Sequence, residues 1–249
     1  MVTEYLLPGS ADEAAAQLEG AVVMAGGTTV MPAVIAGTLP QTRVVGLARA
    51  GLDGVARAGG RTTVGACTTL ARVATLDHAP ALAAAAAAVG GPALRNMATI
   101  GGNLLAGAPY GDVGVALLAL DAEVDLGTRT VALSDFWESF RAGDDVVRSV
   151  SFNDDVAADS VYLRWARRAA NSPAVVCVAV AGGRVALGGV AEHPVRSSGG
   201  EAHVDDPVAA GAAAAAEVDP PTDAIASSWY RTRMTELFVR RALEASHAL

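Results

Sequence analysis

The chain of 249 residues reads as an α+β protein in three consecutive parts. Three observations predict this. Short apolar strands alternate with helical stretches through the opening third, as mixed α/β units do. From Ser160 the texture changes to three successive strand-like runs, as in a small antiparallel sheet. The final stretch, 223–247, carries Tyr230, Met234, Leu237, Phe238 and Leu243 near helical spacing with arginines between them. The parts fall at residues 1–55, 56–155 and 160–249, the last a sheet-plus-helix unit.

Element by element, residues 10–20 (SADEAAAQLEG) predict a short helix, capped by Ser10 or Asp12 and stopped by Gly20. Residues 21–25 (AVVMA) form a compact apolar strand running into Gly26-Gly27-Thr28. A helix at 31–36 and strands at 43–47 and 62–65 follow. Helices are expected at 69–75 and 80–89, the second ended by Gly90-Gly91-Pro92. Residues 95–112 (RNMATIGGNLLAGAPYGD) are punctuated by glycine and show little regular pattern. A helical turn at 115–119, a hairpin around Gly127 and a strand at 146–152 complete the middle. Strands at 161–168, 174–181 and 184–190 open the last part. The Ala-, Gly- and acid-rich stretch 197–217 reads as a mobile loop before a weak helix, or as partly disordered.

Composition removes several function classes. There are 18 basic and 26 acidic side chains, a formal charge of −8, and every basic residue is arginine. Such a chain has no phosphate-tracking face, so general nucleic-acid binding is not expected. The longest apolar run, 79–89, is too short for a bilayer, which takes about 20 residues. The opening MVTEYLLPGS has an early glutamate and no basic segment before an apolar one, unlike a signal peptide. Cys67 and Cys177 are too few for an iron–sulfur cluster or a structural zinc site, and read as buried thiols. The four histidines lie far apart, and no metal site is expected. The reading is a reduced, cytoplasmic protein without a membrane span.

Two glycine segments remain as candidate chemistry; nucleotide P-loop, G-x-G-x-x-G, G-x-S-x-G and H-E-x-x-H patterns are missing. Ala25-Gly26-Gly27-Thr28-Thr29 follows an apolar strand and precedes a helix. Such a turn aims successive backbone N–H groups at one place and suits an anion, unless it is an ordinary tight turn. Thr99-Ile100-Gly101-Gly102-Asn103, with Gly111-Asp112 after it, offers a hydroxyl, close-approach glycines and an amide. Two such turns on a lysine-free chain point to phosphate held by backbone dipoles, which suits a bulky dinucleotide such as FAD.

AGGTTVMP (25–32), LRN (94–96), TIGGNLLAGAPYGD (99–112) and ALLALDAEV (116–124) resemble the FAD-binding subunit of molybdenum-containing hydroxylases. That family includes the medium subunit of aerobic carbon monoxide dehydrogenase and the central domain of xanthine dehydrogenase. LRWARR (163–168), VALGGVAEHPVR (185–196) and SSWYRTRMTELFVRRAL (227–243) extend the resemblance over nearly the whole chain. It implies a two-subdomain FAD-binding fold of the vanillyl-alcohol-oxidase/PCMH type, followed by the carboxy-terminal domain, with FAD between the first two parts.

By the same resemblance, Ala25, Gly26, Gly27, Thr28 and Thr29 hold the diphosphate, and Thr99, Gly101, Gly102 and Asn103 wrap FAD. Asp112 takes the adenosine side. Val89 or Gly90, and Val147, line the flavin pocket, and Arg164 stands where the family has a lysine near the flavin. The implied role is electron transfer from [2Fe–2S] clusters on a small subunit, fed by a molybdopterin large subunit, through FAD to NAD, a quinone or oxygen. The chain departs from the family pattern at Thr29, Ala98 and Tyr110, and the segments at 141–144 and 181–184 look trimmed. The trims motivate an alternative: a stand-alone FAD-dependent oxidase or dehydrogenase acting on a small molecule in specialised metabolism, with Tyr110 and Arg164 as its candidate acid–base groups. A cofactor-free scaffold is the non-enzymatic reading, against which the intact glycine turns, Asn103 and Asp112 stand.

Overall fold

The computed structural model describes residues 1–107, 110–168 and 171–249. Ala108 and Pro109 of the APYGD run therefore lie outside the described residues. The first unit is β1 (Glu4–Leu6), α1 (Ala11–Ala15), β2 (Ala21–Met24), α2 (Val30–Ile35) and β3 (Arg43–Gly46). Its strands form a parallel sheet in the order β1-β3-β2. Ser10 caps α1, its hydroxyl accepting from the Glu13 N–H. Ala14, Leu18, Val45, Leu47 and Ala50 make a small core that Val146, a hundred residues on, completes. By contrast α2 buries no residue, and Ile35 is 81% exposed. The sequence gives no sign of β1, a three-residue strand held by pairing with β3 and by Leu6 against the small core.

The second unit comprises β4 (Val55–Ala58), β5 (Arg61–Gly65), α3 (Leu70–Val73), α4 (Pro80–Ala88), α5 (Pro92–Arg95), α6 (Ile100–Leu104), α7 (Asp112–Ala119), β6 (Glu123–Asp125), β7 (Thr130–Ala132), α8 (Leu133–Ser139), β8 (Ser149–Asn153) and α9 (Asp154–Ala158). Its five strands pair antiparallel in the order β4-β5-β8-β6-β7. Buried along its whole length, α7 forms the axis of the main core. Residues 95–112 are more regular than their glycines suggest: Thr99 caps α6, and tertiary contact stabilises a five-residue helix that propensity alone does not.

The third unit is β9 (Val161–Ala166), β10 (Ala174–Ala181), β11 (Arg184–Gly188), β12 (Val195–Arg196), α10 (Ser198–Glu201), α11 (Pro207–Ala216) and α12 (Ser228–Ser246). The strands run antiparallel in the order β12-β11-β10-β9. Within 197–217 the expected alanine helix is α11, while the expected mobile loop before it is replaced by the short helix α10, and the disordered alternative does not hold. Asp206 caps α11 by accepting from the Val208 and Ala209 N–H groups. The small residues let α11 lie against α12 so closely that a Cβ on Gly211 would sit 2.4 Å from the Glu236 carbonyl oxygen. The final helix begins at Ser228 rather than 223, because the Asp223 carboxylate closes a turn onto the Ile225 and Ala226 N–H groups. Among the described residues no helix is long and apolar enough to cross a membrane, and no group of three His, Cys, Asp or Glu could hold a metal ion.

Candidate functional site

Strand β2 delivers the chain into Ala25–Gly26–Gly27–Thr28–Thr29 at the carboxyl end of the parallel sheet, where ligands of such sheets bind. Gly27 has φ +71°, a conformation open to glycine at little cost. Among the described residues, the N–H groups of Gly26, Gly27, Thr28 and Thr29 donate to no protein acceptor. Thr29 caps α2 without a side-chain hydrogen bond. Four consecutive unmatched donors, three on half-buried residues and the last on exposed Thr29, form a concavity suited to an anion.

The second glycine segment lies directly against the first. A Cβ on Gly26 would stand 1.8 Å from the Met97 carbonyl oxygen, so only glycine lets the two backbones meet. That oxygen precedes Ala98, whose own carbonyl accepts from Leu70 N–H at 2.8 Å, while Thr99 bridges to Thr69. The glycines after Thr99 behave differently from the first turn. Gly101 gives its N–H to the Ala66 carbonyl at 2.9 Å, and its missing side chain admits Ala66, whose Cβ would be 2.8 Å away. Gly102 N–H is held by the Thr99 hydroxyl at 3.2 Å. The first turn thus presents donors, whereas the second uses its glycines for close fit.

From there the buried Asn103 carries the connection onward, its Oδ1 accepting from Val113 N–H at 3.2 Å. Val113 follows Asp112, the first residue of α7, which is 7% exposed. One Asp112 oxygen accepts from the Tyr162 hydroxyl at 2.7 Å and from Arg164 Nε at 3.0 Å. Arg164 also donates from Nη2 to the Ser172 carbonyl. Burial, then the nearby Cys177 and Asp112, push the Tyr162 phenol well above its usual range, so it stays a donor. Burial and Asp112 likewise push the Cys177 thiol up. The structure therefore joins Asp112 to Arg164, and the two glycine segments to one another.

Val89 ends α4, and the Arg95 guanidinium holds its carbonyl at 3.1 Å and that of Gly90 at 2.8 Å. Val147 is buried in the main core, one residue beyond Val146 in the first core. Tyr110 is 63% exposed. Sequence reasoning missed Met97, Arg95 and Tyr162. Tyr162 carried a usable signal, since it stands two residues from Arg164 and so shares its strand face.

Residues 1–152 match the family described as the FAD binding domain in molybdopterin dehydrogenase. The nicotinate dehydrogenase FAD-subunit of Eubacterium barkeri is 34% identical over 123 residues, 45% of this chain and 40% of that protein. The xanthine dehydrogenase FAD-binding subunit of Escherichia coli O157:H7 is 36% identical over 85 residues, 31% of this chain and 29% of that one. The match thus spans less than half the length of either relative. Among solved structures, carbon monoxide dehydrogenase from Hydrogenophaga pseudoflava, in a form lacking the Mo-pyranopterin moiety, superposes with a TM-score of 0.91 at 28% identity. That superposition covers 100% of this chain and 98% of the other.

Proposed function

The chain belongs to the family of FAD-binding domains of molybdopterin dehydrogenases, and from that premise we propose that it is the FAD-carrying chain of a molybdenum hydroxylase. In this reading a molybdopterin chain oxidises the substrate and a small [2Fe–2S] chain relays the electrons here. NAD, a quinone or oxygen takes them away. FAD, when bound, supplies the ability to accept electrons singly and release them as a pair.

The residues fit that cofactor. The observation that carries the reading is the contact of Gly26 with Met97, which sets four free N–H donors beside the Thr99–Asn103 segment. Gly26, Gly27, Thr28 and Thr29 would hold the diphosphate through their backbone, with Ala25 leading into the turn. Thr99, Gly101, Gly102 and Asn103 would form the facing wall. Only one Asp112 oxygen is engaged by Tyr162 and Arg164, and the other would accept from a ribose hydroxyl. Val89 and Val147 would bound the ring end, while Arg164, bonded to Asp112 at 3.0 Å, would stand with it at the adenosine end and not beside the flavin. No side chain here is cast as an acid or base; the chain's contribution is position and the exclusion of water.

The test is the visible absorption of the chain purified alone and after addition of FAD, followed by pull-down from the native source. One tightly held FAD per chain, with an iron–sulfur protein and a large molybdopterin protein recovered alongside, is expected. Failure to take up FAD even with those partners supplied overturns the reading. Bleaching of the bound flavin by a small molecule with no iron–sulfur protein present favours the stand-alone oxidase instead.

A further inference from the structure

A second cavity lies beyond Arg164. It is a cleft of about 360 Å³ lined by Arg167, Arg168, Ser172, Pro173 and Ile225, at the small end of the range for small-molecule sites. The chain carries a net charge of −8, and most of its arginines are paired with carboxylates. Arg167 and Arg168 differ. Among the described residues neither forms an ion pair; Arg167 donates to the Ala224 carbonyl at 3.3 Å and Arg168 to that of Asn171 at 3.5 Å. Each guanidinium has five N–H donors, so most stay free in both.

The frame of the cleft is fixed from behind. Arg231, 1% exposed, holds the Val175 and Gly189 carbonyls and grips the Asp223 carboxylate with two 2.9 Å bonds. Asp223 in turn ties down the Ile225 and Ala226 N–H groups, which fixes Ile225 as an apolar lining residue together with Pro173. The same Arg164 that engages Asp112 holds the Ser172 carbonyl. Two uncompensated guanidiniums over a fixed apolar floor match a small molecule with an oxyanion at one end and an apolar body at the other.

We propose that this cleft is a binding site for a small organic oxyanion, a carboxylate or phosphate ester, distinct from the glycine turns that take the FAD diphosphate. The proposal rests on the FAD reading only for the position of the cleft beside Arg164, and the two are tested separately.

The experiment is calorimetric titration of the FAD-loaded chain with phenyl phosphate, with phenylacetate, and with uncharged phenol. FAD content is read from the visible absorbance of the same sample. The expected result is saturable binding of at least one anion at one per chain, none of phenol, and weakening of about tenfold or more in Arg167→Gln/Arg168→Gln with FAD content unchanged. Both arginines are exposed, so the double variant keeps its fold; Arg167→Lys/Arg168→Lys, which keeps the charges, restores part of the affinity. Whichever anion binds identifies the head group. Three results overturn the proposal: neither anion binds, phenol binds as well as the anions, or the Gln variant binds undiminished. A sample that takes up no FAD fails the earlier reading instead.

Discussion

Gly26→Ala tests the cradle at its narrowest point. The new methyl would sit 1.8 Å from the Met97 oxygen, 2.7 Å from its carbonyl carbon and 3.2 Å from Ala98 Cα, whereas ordinary contact begins at 3.4 Å. A displacement of about 1.6 Å is therefore required. The Met97 side resists it, because Ala98 N–H is bonded to Leu94 at 2.7 Å and Ala98 carbonyl to Leu70 at 2.8 Å. The glycine turn must move instead. Overpacking of this kind costs about 1–3 kcal/mol, a fall in Tm of about 2–4 °C for each kcal/mol in a chain of this size. A shift above 1 Å also carries the Gly26–Thr29 donors out of hydrogen-bond range of a fixed diphosphate. Losing two charge-assisted bonds at about 1.5 kcal/mol each weakens FAD binding about 100-fold. The assay is flavin titration with a thermal melt, alongside Gly9→Ala, where the added carbon meets only Glu13 Oε2 at 3.4 Å. If Gly26→Ala binds FAD within twofold of the natural chain and melts at the same temperature, the two segments do not touch and the cradle argument fails.

Asp112→Asn leaves the Arg164 guanidinium, whose side chain is 13% exposed, without its counter-charge. A loss of about 3 kcal/mol is expected in urea unfolding, and an unchanged midpoint would show that the pair holds nothing together. Acid should destabilise the fold through three carboxyls held below their usual range. Burial pushes Asp145 up, but bonds from Arg129 and the Arg141 N–H outweigh it; Asp154 is held down first by the Thr62 hydroxyl and then by Arg57; in Asp223 burial is outweighed by the Ala226 and Ile225 N–H groups and Arg231. Each group binds protons more readily unfolded, so its stabilisation is complete above about pH 4 and is lost as pH falls through the lowered folded value. Stability that stays level from pH 5 to pH 2 would contradict this. Burial, and then Asp53, push the Cys67 thiol up to about 11, and the Cys177 thiol is raised as well. Only Cys177 is the buried thiol expected of both, Cys67 being half-buried; Cys177 should therefore react slowly with a disulfide reagent at pH 8 and quickly in concentrated urea, and its rapid labelling in the folded chain counts against that burial.

Where local signals were strong, sequence and structure agree. The run AVVMA followed by two glycines predicts a strand, a turn and a helix, and β2 and α2 lie within one residue of the expected bounds. The three strand runs after Ser160 appear as β9, β10 and β11 because each is long enough to show its pattern. Within 197–217 only a weak helix is legible, since alanine and glycine carry no amphipathic signal. What orders them is the close approach to α12, which is a property of the pair. The site was legible as residue types but not as roles. Both glycine segments look alike on paper, yet Gly101 has its N–H bonded to Ala66 while Gly26–Thr29 have theirs free. That difference depends on what the fold brings opposite each turn, seventy residues away in the case of Gly26 and Met97.

All eight residues of β10 are buried, and its side chains divide by size. Cys177, Ala179 and Ala181 belong to the core built around α7, while Val176, Val178 and Val180 belong to the core under α12. One strand is thus the party wall of two rooms. The family match ends at residue 152, but a chain cut there would leave α7 facing water along the side that β10 now covers. The matched segment is a unit of descent and not of cooperativity: its middle portion and the sheet beyond it should melt in a single transition, with no hinge between them.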